Sequence, residues 1–137
     1  MKTRSLLLAL ILSIGLFSTS CSNDDNEGET LIPLEGKWDL SKTGTVIGGT
    51  EQLIDAPENQ SGCSKDYLEL KLDNTAHVGD YATTECALTV QSGIYSRSHN
   101  NITTVINGVT KTQDIVNLTL KELKVKDAAG IITVYTR

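Results

Sequence analysis

Few side chains in this 137-residue chain are equipped for chemistry: three cysteines, two histidines and a scatter of acids. A thiol becomes a nucleophile when a neighbouring base takes its proton or a local positive charge lowers its pKa. Cys63 or Cys86 with His77 would be the pair to consider. His77 and His99 each stand alone on a strand-like segment, and no His-x-His, Cys-x-x-Cys or His-Glu-x-x-His spacing offers a metal its ligands. Asp66, Glu69, Asp73 and Asp80 alternate with apolar residues, as a solvated face does, so no carboxylate pair is singled out for acid–base work. Gly48-Gly49 lacks the Lys-Ser/Thr continuation of a phosphate loop. The residues therefore predict no enzyme, no metal and no cofactor.

Cys21 is a different kind of cysteine. Lys2 and Arg4 make a basic start, Leu6 to Phe17 is an apolar run broken by Ser13 and Gly15, and Ser18-Thr19-Ser20 precede the thiol. That is the layout of a secretory signal peptide over residues 1–20. The run is 12 residues long, short of the roughly 20 that a spanning helix requires. Small residues before a cysteine at this point resemble the lipobox of bacterial lipoproteins, in which cleavage leaves the cysteine as the acylated first residue. Ser18 stands where that motif has an aliphatic residue, so a signal peptide cut nearby, releasing a soluble protein, stays open. The resemblance implies a chain exported to a lipid anchor at the outer membrane, with Cys21 bearing the lipid.

Removing residues 1–20 takes two bases and no acid from a total of 12 Lys+Arg and 17 Asp+Glu, leaving 10 and 17, formally −7. Such a balance disfavours nucleic acid and anionic membrane surfaces. Residues 22–30, SNDDNEGET, hold four acids and no apolar side chain, so residues 21–32 are expected to be a solvated tether. The tether also resembles, loosely, the acidic stretch that marks some Gram-negative lipoproteins for the cell surface.

The elements that position everything else lie beyond Pro33, with one domain expected over residues 33–137. In LELKL, Leu68, Leu70 and Leu72 point one way while Glu69 and Lys71 point the other; Val116, Leu118 and Leu120 alternate similarly, then Leu123 and Val125. Turn dipeptides fall at Asp73-Asn74, Asn100-Asn101, Asn107-Gly108 and Ala129-Gly130. Between them the sequence predicts strands near 36–42, 66–72, 75–82, 92–99, 101–107, 113–119, 122–127 and 131–136. A helix over 111–130 is the competing reading, opposed by its β-branched residues and its lack of a 3.6-residue period. The expected fold is all-β, a small antiparallel up-and-down barrel of about eight strands, in which closure removes exposed edges. A sandwich is the structural alternative.

If Cys21 carries lipid, Cys63 and Cys86 remain as an even pair in an exported protein. In a hairpin turning at Asp73-Asn74 they fall within two residues of direct opposition, close enough for a disulfide. Two buried thiols, or a catalytic cysteine, are the other readings.

The ordered set of features resembles a known family. Leu34-Glu-Gly36-Lys-Trp38 is similar to the L-x-G-x-W opening of small bacterial lipocalin-like lipoproteins; Cys63 before a strand ending in Asp73-Asn74, then Cys86 before Gly93-Ile-Tyr95, continues the pattern. Asn74 stands where Gly is usual, and Tyr95 where Trp is common. The resemblance implies a lipocalin-like barrel whose opening tryptophan plugs the closed end, with a basic residue of the last strand across its indole. Arg137 is placed to meet Trp38 in that way, unless it is a frayed terminal side chain. It also implies that the first long connection, Thr43 to Gly62, lies over the barrel mouth, with Val46, Ile47, Leu53 and Ile54 as a lid; the alternative is that these residues extend the first hairpin or cap the core. The function expected is non-catalytic binding of a small apolar or amphipathic ligand by a monomer. The alternative is a protein-interaction or inhibitor module with a filled barrel.

Overall fold

Short alternating runs separated by Gly, Asn and Asp build the molecule, a computed structural model of which describes residues 32–137. Cys21 and the tether lie outside the described residues. Nine strands follow in order: β1 Gly36–Ile47, β2 Thr50–Asp55, β3 Tyr67–Leu70, β4 Thr75–Ala82, β5 Ala87–Ser98, β6 Asn101–Ile106, β7 Val109–Leu118, β8 Glu122–Lys126 and β9 Ile132–Thr136. All pairings are antiparallel; β3 to β9 follow one another as neighbours, and β1 pairs with both β3 and β9. The result is a closed eight-stranded lipocalin-like barrel, with β2 as an extra strand on the outer half of β1.

The connections obey turn chemistry. Asn107 and Gly108 both take positive φ, 51° and 74°, between the paired Ile106 and Val109. Gly48 and Gly49, at 59° and 81°, do the same between Ile47 and Thr50. A two-residue turn with both residues left-handed matches the twist of its strands. Asn74 takes φ 64°, and the Asp73 carboxylate before it accepts from Thr75 N–H and Oγ1 at 3.0 and 2.6 Å. Those two bonds hold the Asp73 carboxyl below the usual carboxylate range.

Several expectations need correction. The connection from Thr43 to Gly62 is not a loop throughout: β1 continues to Ile47 and returns as β2, leaving only residues 56–66 irregular. Strands β5 and β7 start at Ala87 and Val109, earlier than the sequence predicts. The β5–β6 turn is His99-Asn100, with His99 at φ 52°, rather than Asn100-Asn101. A bulge between Ile115 and Asn117 shifts the register of β7 on β8. It puts Ile115 and Leu118 against the core, while Val116 and Leu120 are exposed. Leu72 leaves the Leu68–Leu70 face and is 85% exposed in the β3–β4 turn.

The core fills one end of the barrel. Leu34, Trp38, Leu70, Ala76, Ile102 and Leu123 are at most 2% exposed and pack as one cluster with Tyr95 and Val125. β9 is covered on both faces: Tyr135 packs against that cluster, while Ile132 and Val134, pointing the other way, are 1% and 4% exposed. Gly44 pairs with Ile132, and a Cβ there would lie 1.8 Å from the Gln52 carbonyl oxygen. Only glycine lets β2 fold so tightly across that side.

Candidate functional site

The plugged end is held by an arginine clasp. Trp38 is fully buried and its indole N–H donates to the Leu34 carbonyl at 2.7 Å. The Arg137 guanidinium carbon lies 3.8 Å from the Trp38 ring centroid. Its N–H groups donate to the carbonyls of Leu120, Glu35 and Pro33 at 2.9, 2.8 and 3.2 Å. Gly36 makes room: a Cβ there would stand 2.8 Å from Arg137 Nη1, at a φ of 132°. Tyr95 adds a second tie at this end, its hydroxyl donating to the Lys71 carbonyl at 3.0 Å. Burial, then the nearby Glu35 carboxylate, pushes its phenol up.

At the other end the barrel opens. The disulfide Cys63–Cys86 joins loop 56–66 to the β4–β5 turn, with Cα atoms 5.3 Å apart. Neither cysteine is a free thiol, which removes the nucleophile-and-base reading. Loop 56–66 is pinned by Asn59 and Asp66. Asn59 Nδ2 donates to the Leu40 carbonyl at 2.8 Å, and Asn59 Oδ1 accepts from Asp66 N–H at 2.9 Å. The Asp66 carboxylate accepts from Tyr81 N–H at 2.8 Å. Asp66 is thus buried and structural rather than part of a solvated row. His77 contacts Ser92 Oγ at 2.8 Å, and His99 sits in a turn where its carbonyl accepts from Arg97 Nε. Among the described residues no group of three His, Cys, Asp or Glu side chains could hold a metal ion.

Between the plug and the mouth the inward residues of the strands enclose a two-lobed cup. One lobe, about 440 Å3, has Leu40 and Tyr67 in its wall and Glu58, Asp66 and Asp80 for charge. The other, about 410 Å3, is lined by Gln91, Thr104, Ile106, Lys111 and Gln113 among others. Leu68, Val78 and Tyr135 belong to both, so the lobes share an apolar wall. Either volume lies within the 300–1,000 Å3 of small-molecule sites. Gln113 is 8% exposed, and its side-chain nitrogen has no hydrogen-bond partner. Enclosure, with the Glu58 carboxylate adding, pushes the Tyr135 phenol up to about 12, so it stays protonated. The cup thus combines an apolar wall with a few polar and charged side chains.

The expected lid takes another position. Val46, Ile47 and Ile54 are 48%, 63% and 62% exposed on the β1–β2 hairpin, Leu53 is half-buried there, and none of the four lines the cup. Glu51 of that hairpin reaches Lys124 Nζ at 2.8 Å, tying it to β8. Sequence reasoning took Asp66 and Asp80 for a solvated face and Asn107 for a turn residue only, and it missed the other polar residues of the cup. The available signal was parity: Lys111, Gln113 and Ile115 share one face of β7, the face that bears the core residue.

The comparisons fit this architecture. Among solved structures, an uncharacterized protein from Bacteroides eggerthii is similar at a TM-score of 0.58 and 12% identity, over 77% of this chain and 99% of that one. A lipocalin-like protein from Bacteroides uniformis is similar at 0.58 and 15%, over 76% and 97%. At such identities the likeness concerns the fold alone. No curated protein matches the sequence. The model of the lipocalin-like domain matches residues 34–125, from the L-x-G-x-W opening into β8, and with two thirds of the chain matched, this protein belongs to the lipocalin-like domain family.

Proposed function

We propose that this protein is a lipid-anchored, non-catalytic binding protein whose barrel takes up a small amphipathic molecule. The observation that carries the reading is the open cup: two lobes of about 440 and 410 Å3 sharing the apolar wall of Leu68, Val78 and Tyr135. An eight-stranded barrel has an interior that side chains can just fill or that can hold one small ligand. Here the plug of Trp38, Leu70 and Leu123 occupies one end only. A filled barrel acting through its loops is the competing function, and the cup favours the first. The chain is proposed to act as a monomer at the outer membrane, facing the cell surface, with Cys21 acylated and the acidic residues 22–30 as a spacer. Several acyl chains at about 0.8 kcal/mol per buried CH2 would anchor it firmly.

The test is native mass spectrometry of the protein purified from its host. A reproducible extra mass that is lost on unfolding supports the binder; a single unliganded mass, with no uptake of amphiphiles added afterwards, refutes it. For the anchor, Cys21→Ala should leave the barrel folded and move the protein out of the membrane fraction. Continued membrane association would sink that part of the proposal.

A further inference from the structure

Two leucines at the plugged end face solvent with nothing to pack against. Leu72, 85% exposed, is the most exposed large apolar side chain among the described residues, and Leu120 is 60% exposed. Each stands second in a hydrogen-bonded turn that holds it outward. In the turn Lys71 to Asn74, Asn74 N–H donates to the Lys71 carbonyl at 3.0 Å, and the Asp73 carboxylate accepts from Thr75. In the turn Thr119 to Glu122, Thr119 N–H donates to the Glu122 carbonyl at 2.8 Å, and Thr119 Oγ1 accepts from the N–H groups of Lys121 and Glu122. Both turns flank the same plug. Arg137 joins Leu120 to Pro33 through their carbonyls, and the Tyr95 hydroxyl donates to the Lys71 carbonyl beside Glu35. Lys71 and Lys121 are exposed next to the leucines. The neighbouring acids are engaged, Asp73 by Thr75 and Glu122 by Asn117 at 2.8 Å.

Apolar tips flanked by lysines suit the boundary of a bilayer. The leucine enters the acyl region, and the lysine stem lies along apolar surface while its ammonium stays with the phosphates. The course of the chain says which end of the barrel meets that boundary. Leu34 is buried in the plug, so the chain enters the barrel there. Cys21 lies 11 residues before Ile32, a stretch that spans about 18 Å as a coil and at most about 38 Å. The mouth is at the far end of β1, which has 12 residues and so runs about 40 Å. The exposed Val46 and Ile47 belong to that distant end.

Resting on the lipid anchor proposed above, we propose that the plugged end docks on the bilayer that holds the Cys21 acyl chains. Leu72 and Leu120 insert at the acyl boundary, Lys71 and Lys121 meet the phosphates, and the cup opens away from the membrane. Two leucines hold a free protein on a bilayer only weakly. A short tether changes this, because it keeps the plugged end at an effective concentration of about a millimolar. Docking therefore orients the barrel without replacing the anchor, and the Cys21→Ala protein is still expected to leave the membrane fraction.

The experiment uses the full acylated protein in phosphatidylcholine vesicles that contain a nitroxide-labelled lipid as quencher. A fluorophore is attached through Asn100→Cys, in the β5–β6 turn beside the plug, or through Ala129→Cys, in the β8–β9 turn at the mouth. Quenching at Asn100→Cys is expected to exceed that at Ala129→Cys by about threefold or more. Leu72→Ser with Leu120→Ser, both on exposed turn tips, should bring that ratio to about one while the protein still floats with the vesicles. Equal quenching at the two positions with both leucines present would overturn the docking and leave the anchor standing. A ratio that survives the double serine substitution would overturn it too. A protein that does not float with the vesicles at all would refute the anchor, and the docking with it.

Discussion

Arg137 does more for this barrel than a single contact would suggest. It covers the Trp38 indole at 3.8 Å and hands its N–H groups to the carbonyls of Pro33, Glu35 and Leu120, so one side chain links the segment before β1 to the turn before β8. A cation–π contact contributes about 0.5–2 kcal/mol and hydrogen bonds from a charged donor somewhat more, with part of both lost to solvent because the Arg137 side chain is only half-buried. Arg137→Ala should therefore lower stability by about 2 kcal/mol in urea denaturation. Arg137→Lys should recover less than half, because an ammonium cannot present a planar fork to three carbonyls. A loss under about 0.5 kcal/mol for Arg137→Ala would mean that the plug closes without the clasp. Gln113 invites the opposite experiment. Its amide nitrogen is buried without a partner, so Gln113→Leu should be neutral or stabilise by up to about 1 kcal/mol, and a clear destabilisation would show that a buried water already satisfies the amide.

Among the elements, the β1–β2 hairpin and the disulfide loop carry the testable content. The hairpin depends on Gly44, where a Cβ would meet the Gln52 carbonyl at 1.8 Å. Gly44→Ala should push β2 off the barrel, expose Ile132 and Val134, and cost more than about 2 kcal/mol, as overpacking against backbone does. A crystal structure with β2 still in place would refute this. The disulfide closes residues 63–86, a separation of 23, and in the chain-entropy model that loop contributes roughly 3.4 kcal/mol. Cys63→Ala with Cys86→Ala should lower stability by about that amount and release loop 56–66 from the β4–β5 turn. Equal urea midpoints would show that the Asn59 and Asp66 hydrogen bonds suffice. Most of this scale was legible in the sequence. The strand alternation, the Asn-Gly turn and the cysteine pair were all visible as local chemistry. What was misjudged depended on long-range facts. Gly48-Gly49 between TVI and TEQLI is a hairpin turn, but with Val46, Ile47 and Ile54 exposed the hairpin has no buried stripe to announce it. The β7 bulge is written in no residue type, and it moved Val116 out and Ile115 in.

For the whole molecule, the cup is what the sequence hid and what alkaline titration should reveal. Strand parity assigns residues to the inside of a barrel, but only the register of all eight strands brings Leu68, Val78, Gln113 and Tyr135 to one space. Tyr135 reports on that space because enclosure, with Glu58 adding, raises its phenol to about 12 from an ordinary value of 10.0. Below pH 10 the phenol is protonated in both the folded and the unfolded chain, so it adds no pH dependence. Between pH 10 and about 12 the unfolded chain releases the proton and the folded one does not, so stability falls as pH rises through this window. A shift of that size corresponds to roughly 2–3 kcal/mol in total. Tyr135→Phe should abolish this component of the alkaline loss while leaving neutral-pH stability nearly unchanged. A ligand that fills the cup excludes water from the phenol and should move the onset of ionisation higher, observable as a delayed tyrosinate absorbance. If wild type and Tyr135→Phe lose stability in parallel above pH 10, the phenol is in contact with bulk water, and the cup is wider and wetter than its lining implies.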